Sequence, residues 1–257
     1  MAALFFAVIL SVKGKWHEIK NREALKNIFW TAFFIGILFY VLSYFGLRYT
    51  SAGNASIIAL TETFFSYLLF HVLRKNYIPV QHIIGSVLMV IGAFIVLYPN
   101  VTHFQFGDIL ILGAAFIAPF GNFFQQRARK IVSSESIMFV RSLISAIVIF
   151  LLVYISKASF SSSDFKNSFI FILINGLFMF GFSKILWIEG IHRISVTKSN
   201  ALSGLSPLIT LLFAWIFLQN SPTVWQLFSF IPMFLGLMLL SMNRGKGNNL
   251  IPEAEIK

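Results

Sequence analysis

The chain has 257 residues, of which 58% are hydrophobic and only 11% charged, against about 25% charged residues in an ordinary soluble domain. Its formal net charge is +11, but the basic residues sit in short segments between apolar runs and form no aromatic-interleaved patch of the kind that binds nucleic acid. Cysteine is absent, which excludes a disulfide framework and a thiolate metal site.

Taken in chain order, apolar segments cover residues 1–12, 28–47, 53–73, 80–98, 107–126, 136–155, 168–190, 196–218 and 222–242. About 20 apolar residues carry a helix across a bilayer core, where the backbone must satisfy its own hydrogen bonds. The alternation of membrane β-strands is missing. Eight of the segments are long enough to span. The first is not, because its helical rise is only about 18 Å against a core of about 30 Å. Met1–Val12 has no basic residue ahead of it. It is followed by Lys13-Gly14-Lys15-Trp16 instead of a small-residue cleavage site. It therefore reads as the second half of a helix and not as a leader.

Loops assigned alternately to two sides divide the charge unequally. One side receives Lys13, Lys15, Lys20, Arg22, Lys26, Arg74, Lys75, Arg127, Arg129, Lys130, Arg193, Lys198, Arg244, Lys246 and Lys257. The other receives Arg48, Lys157 and Lys166, while Arg141 and Lys184 lie inside segments. Cytoplasmic loops carry the excess of Lys and Arg, so the first side is expected in the cytoplasm, with the C-terminal tail, 243–257.

A shift of 144 residues superposes Phe34 on Phe178, Gly46 on Gly190, Ser51 on Ser195, Leu68 on Leu212, Val80 on Val224, Met89 on Met233 and Gly92 on Gly236. The same shift places the Arg48 loop outside and its partner loop at His192–Arg193 inside. Two halves of opposite orientation are expected, 1–99 and 107–242, the first retaining three helices and a part. Inverted repeats with a midplane site between them are a recurring plan of secondary transporters.

The run Gly46-Leu47-Arg48-Tyr49-Thr50-Ser51-Ala52-Gly53-Asn54-Ala55-Ser56, continuing to Leu60-Thr61-Glu62-Thr63, resembles the EamA-type drug/metabolite transporter superfamily. The resemblance recurs at Leu205-Ser206-Pro207, and Gly85 through Tyr98 is similar to the glycine-containing helix that closes each repeat. It implies ten helices in two inverted five-helix repeats around a central cavity, with both termini cytoplasmic. By that pattern the first helix and part of the second are absent here.

Glu62 is the first cavity candidate, because an ionisable group in mid-membrane is expensive and faces the bundle interior. With Ala55, Ala59 and Ser66 it forms a stripe at helical spacing. The shift matches that stripe to Ser199, Ser203, Ser206 and Thr210. A cavity wall is one account of these residues, and tight helix packing is the other. Lys184 could contact an anionic group, or snorkel to the interface. Arg141 could serve substrate or anchor the start of segment 136–155. Asn122 and Gln125 follow Pro119, which is expected to kink its helix. They could bind substrate or bridge helices. Tyr40 is the repeat mate of Lys184.

The expected fold is therefore all-α: a polytopic membrane bundle of eight full helices and a partial one, in two inverted repeats. Motifs for metalloprotease, serine hydrolase or phosphate-loop chemistry are missing, so no enzyme activity and no cofactor are expected. The expected function is secondary transport of a small polar, amino-acid-like metabolite across the cytoplasmic membrane by alternating access. A non-transporting membrane protein with a structural or interaction role is the alternative. The expected partners are the bilayer, the substrate, a proton as candidate coupling ion and a second copy of the chain.

Overall fold

The computed structural model describes residues 1–74, 80–97, 105–155, 162–193 and 206–242. Every regular element among them is helical. In order these are α1 (Ala2–Lys13), a 3₁₀ turn (Trp16–Lys20), α2 (Arg22–Thr31), a π-helical stretch (Ala32–Phe39), α3 (Tyr40–Leu47), α4 (Ala52–Ala59) and α5 (Thr61–Arg74). Then follow α6 (Val80–Leu97), α7 (Phe106–Arg129), α8 (Ser134–Ile155), α9 (Ser162–Ile174), a second π-helical stretch (Asn175–Phe182), α10 (Ser183–Arg193), α11 (Ser206–Leu218) and α12 (Val224–Ser241). Among the described residues four helical runs are long and apolar enough to cross a membrane: Arg22–Leu47, Phe106–Arg129, Ser134–Ile155 and Ser168–Arg193. Shorter apolar helices include Ala2–Lys13 and Val224–Leu240. The tail, 243–257, lies outside the described residues, as do Ser199 and Ser203.

The chain divides into two compact units, one of Met1–Leu38 with Phe120–Arg193 and the other of Phe39–Pro119 with Ile194–Lys257. In the first, Phe6, Ala24, Ile28, Ala128, Val132, Ile137, Met138 and Ile188 form the apolar core. Trp30 and Phe34 stack against Phe124, and Phe34 also against Phe120. Helix ends here are fastened by polar groups. Glu18, from the 3₁₀ turn, accepts from the Ser133 backbone N–H at 2.8 Å and from the Ser133 and Ser136 hydroxyls, each at 2.6 Å. It thus satisfies donors at the start of α8, where helical N–H groups have no partner of their own. Glu135 is paired with Lys13 and, at 3.9 Å, Lys15. Glu189 takes Arg129 Nε at 2.9 Å and Nη2 at 3.2 Å, and accepts from Ser134. Two of the loops that charge assigned to one side (after α1 and after α7) thus meet the C-terminal half of α10, through Glu189, at one end of this unit.

In the second unit the core is Ile57, Ile58, Leu60, Tyr67, Met89, Ile111, Leu211, Met233, Leu237 and their neighbours. Its most extensive helix contact is between α6 and α12. A Cβ on Gly85 would lie 2.8 Å from the Gly236 carbonyl oxygen, and one on Gly236 would lie 2.5 Å from that of Gly85. A Cβ on Gly92 would meet Ser229 O at 2.9 Å and Met233 Cγ at 2.3 Å, and one on Gly236 would meet Met89 Cγ at 2.8 Å. Contacts rise along α6 as they fall along α12, so the two run antiparallel. Small residues permit that close approach, a common basis of helix association in lipid.

One expectation is corrected. Segment 53–73 is not one helix: it is interrupted at Leu60, where Leu60 N bonds Ile57 O and Thr63 N bonds Leu60 O in tighter i→i+3 fashion. The stripe Ala55, Ala59, Glu62, Ser66 therefore does not keep one face, and Ala59 is exposed while Ser66 is buried. Pro232 lies inside α12 without ending it, as membrane helices tolerate where neighbouring groups can re-satisfy the freed backbone.

Candidate functional site

Arg141 stands seven residues into α8, about 10 Å along its axis. Interface anchoring does not describe it. The side chain is only 3% exposed, and its Nη1 donates to Gln125 Oε1 at 2.7 Å. Gln125 projects from α7, which continues through Pro119. One turn earlier on α7 the buried Asn122 accepts from Trp187 Nε1, on α10, at 3.2 Å. Three candidates, Asn122, Gln125 and Arg141, are thus gathered in the first unit, with Trp187 added. Lys184, half-buried, lies one turn before Trp187 on the same helix. A buried arginine inside a membrane helix is held by hydrogen bonds or by charge, and marks a functional site more often than a packing one.

The remaining candidates belong to the second unit. Glu62 is half-buried in the first turn of α5, directly after the interruption at Leu60. Thr61, beside it, donates from Oγ1 to Ile58 O at 2.6 Å, satisfying a carbonyl at the break. Tyr40 stacks on Tyr44 with centroids 6.0 Å apart. Thr210 donates to Ser206 O at 2.9 Å within α11, and Ser206 is exposed.

Polar groups not singled out from the sequence complete this unit. Gln226 bonds the Thr223 backbone N–H in a capping box and sends Nε2 to Asn54 Oδ1 at 2.7 Å. Thr50 donates to the buried Asp108. His82 Nδ1 is 3.0 Å from the Tyr67 hydroxyl. In the first unit, Ser145 was legible in part, since it follows Arg141 at i+4 on the same helix face.

Helices of this length and apolarity around buried polar groups define an integral, multi-pass membrane protein. The model of the EamA-like transporter family matches residues 1–98 and 105–242. The chain belongs to that family and is a membrane transporter, a class that does not comprise enzymes. It is 20% identical over 221 residues to the uncharacterized transporter YoaV of Bacillus subtilis, covering 84% of this chain and 75% of that one. It is 26% identical over 240 residues to an uncharacterized transporter of Methanothermobacter thermautotrophicus, covering 90% of this chain and 68% of the relative. A solved crystal structure shares the fold with a TM-score of 0.66 at 14% identity, over 93% of this chain and 83% of that one.

Proposed function

We propose that the protein is a secondary transporter of a small polar metabolite, working by alternating access between two inverted repeats, 1–99 and 107–242. The observation that carries the site is the buried Arg141–Gln125 pair between two helices long and apolar enough to cross a membrane. The repeats are supported by the α6–α12 contact. Val80–Leu97 and Val224–Ser241 have bounds displaced by the same 144 residues. Under that displacement the Gly85–Gly236 contact becomes Ser229–Gly92, and Met89–Gly236 becomes Met233–Gly92, all of them observed. An antiparallel contact that maps onto itself is what two copies of opposite orientation make. The charged loops place the basic end of the first unit, and the C-terminus, in the cytoplasm.

Glu62 is the coupling carboxylate in this mechanism. It sits at a break in a helix, where transporters commonly bind substrate and ions. A glutamine keeps its shape but cannot take up and release a proton. In reconstituted vesicles Glu62→Gln should abolish uptake driven by a pH gradient while leaving exchange measurable. Unchanged uptake with unchanged pH dependence would overturn the assignment.

A further inference from the structure

Beside Arg141 two buried polar groups have no hydrogen-bond partner. A guanidinium only donates, so the Gln125 amide must turn its carbonyl oxygen to Arg141 and its NH₂ away. That Nε2 is unpartnered, though the Gln125 side chain is fully buried. Ser145 Oγ, one turn beyond Arg141 and on the same face of α8, is unpartnered as well, in a residue 8% exposed. Gly36, in the first π-helical stretch, stands against both. A Cβ there would come within 2.1 Å of Ser145 Oγ and 3.5 Å of Arg141 Cγ. Backbone without a side chain at this point is what leaves Ser145 Oγ its room. Unmade hydrogen bonds at buried groups are costly, and a core selected only for packing would carry apolar side chains here.

We infer that Arg141, Gln125 and Ser145 form a binding site for the carboxylate of a small organic solute. The cluster offers guanidinium and amide N–H groups and one hydroxyl. Planar donors of this kind fit a carboxylate, which guanidinium and amide groups recognise through directed N–H···O bonds. The inference rests on the reading of the chain as a transporter and names its substrate class: solutes bearing a carboxylate. Gly36 sets how closely the ligand approaches the first π-helical stretch.

The test is calorimetric titration of the full chain in lipid nanodiscs with pyruvate, succinate and L-leucine, each beside its uncharged amide or ester form at the acid group. At least one carboxylate should bind, and its blocked form at least tenfold more weakly. Gln125→Glu puts an acceptor where the donors were and neutralises Arg141 from within. It should weaken carboxylate binding at least tenfold while holding or raising the melting temperature. Ser145→Ala should weaken binding several-fold. Equal binding of blocked and free acids, no binding across the panel, or full affinity in Gln125→Glu would each overturn the site. Tracer counterflow in proteoliposomes separates the two readings. Carboxylates that bind without any flux would sink transport and keep the site. Flux of an uncharged or cationic solute that carboxylates do not inhibit would sink the site and keep transport.

Discussion

Glu18 lies in a 3₁₀ turn outside the membrane-spanning helices, and one of its oxygens takes three hydrogen bonds from Ser133 and Ser136. Burial alone would push its carboxyl up. The hydrogen bonds from Ser133 and Ser136, with Lys15 nearby, outweigh that and hold it below the ordinary carboxylate value. A lowered folded value means that its stabilisation is present above the unfolded value and is lost as pH falls through the folded one. Glu18→Gln should therefore cost about 1 kcal/mol near neutral pH and flatten the acid side of the stability profile. Thermal unfolding in detergent from pH 7 down to pH 3 checks this, and an unchanged acid limb would refute it. Arg141 shows what the sequence withholds at this scale. Its position near a segment's start suggested an anchor, but which face of a helix is buried depends on neighbours that sequence spacing does not identify.

Among the elements, α6 and α12 depend on glycine backbone meeting glycine backbone. Gly236→Ala would put a Cβ 2.5 Å from the Gly85 carbonyl oxygen, which no side-chain rotation relieves. Overpacking of this kind costs about 1–3 kcal/mol. Gly113→Ala is the control, because its Cβ would meet only Leu42, at 3.7 Å. Gly→Ala inside a helix otherwise adds up to about 1 kcal/mol. Melting temperatures should fall for the first and hold or rise for the second. The glycine-containing helix around Gly85 was visible in the sequence, though not the backbone it meets. The interruption at Leu60 was not, since Leu60 is an ordinary helix former and the break carries neither glycine nor proline.

At the scale of the molecule, apolar run lengths and loop charges were enough to make the chain a membrane helix bundle. Lipid leaves the backbone few alternatives, so composition alone was decisive. Sidedness is checked by labelling. Because the chain has no cysteine, single cysteines report without background. A membrane-impermeant maleimide should label Tyr49→Cys on intact cells and Lys20→Cys only after permeabilisation. The opposite pattern would invert the topology. What composition could not supply is how polar groups are shared between different helices, as when Gln125 on α7 meets Arg141 on α8 and Asn122 meets Trp187 on α10.

The α6–α12 contact has a consequence for history. On the proposed repeat, its surface is complementary to an upside-down version of itself. A free-standing half-length ancestor would already have carried its own partner, provided that half its copies inserted the other way up. Separate copies keep such a balance only while their loop charges stay nearly even. Joining two halves in one chain removes that constraint, and each half can then acquire the strongly biased loops seen here.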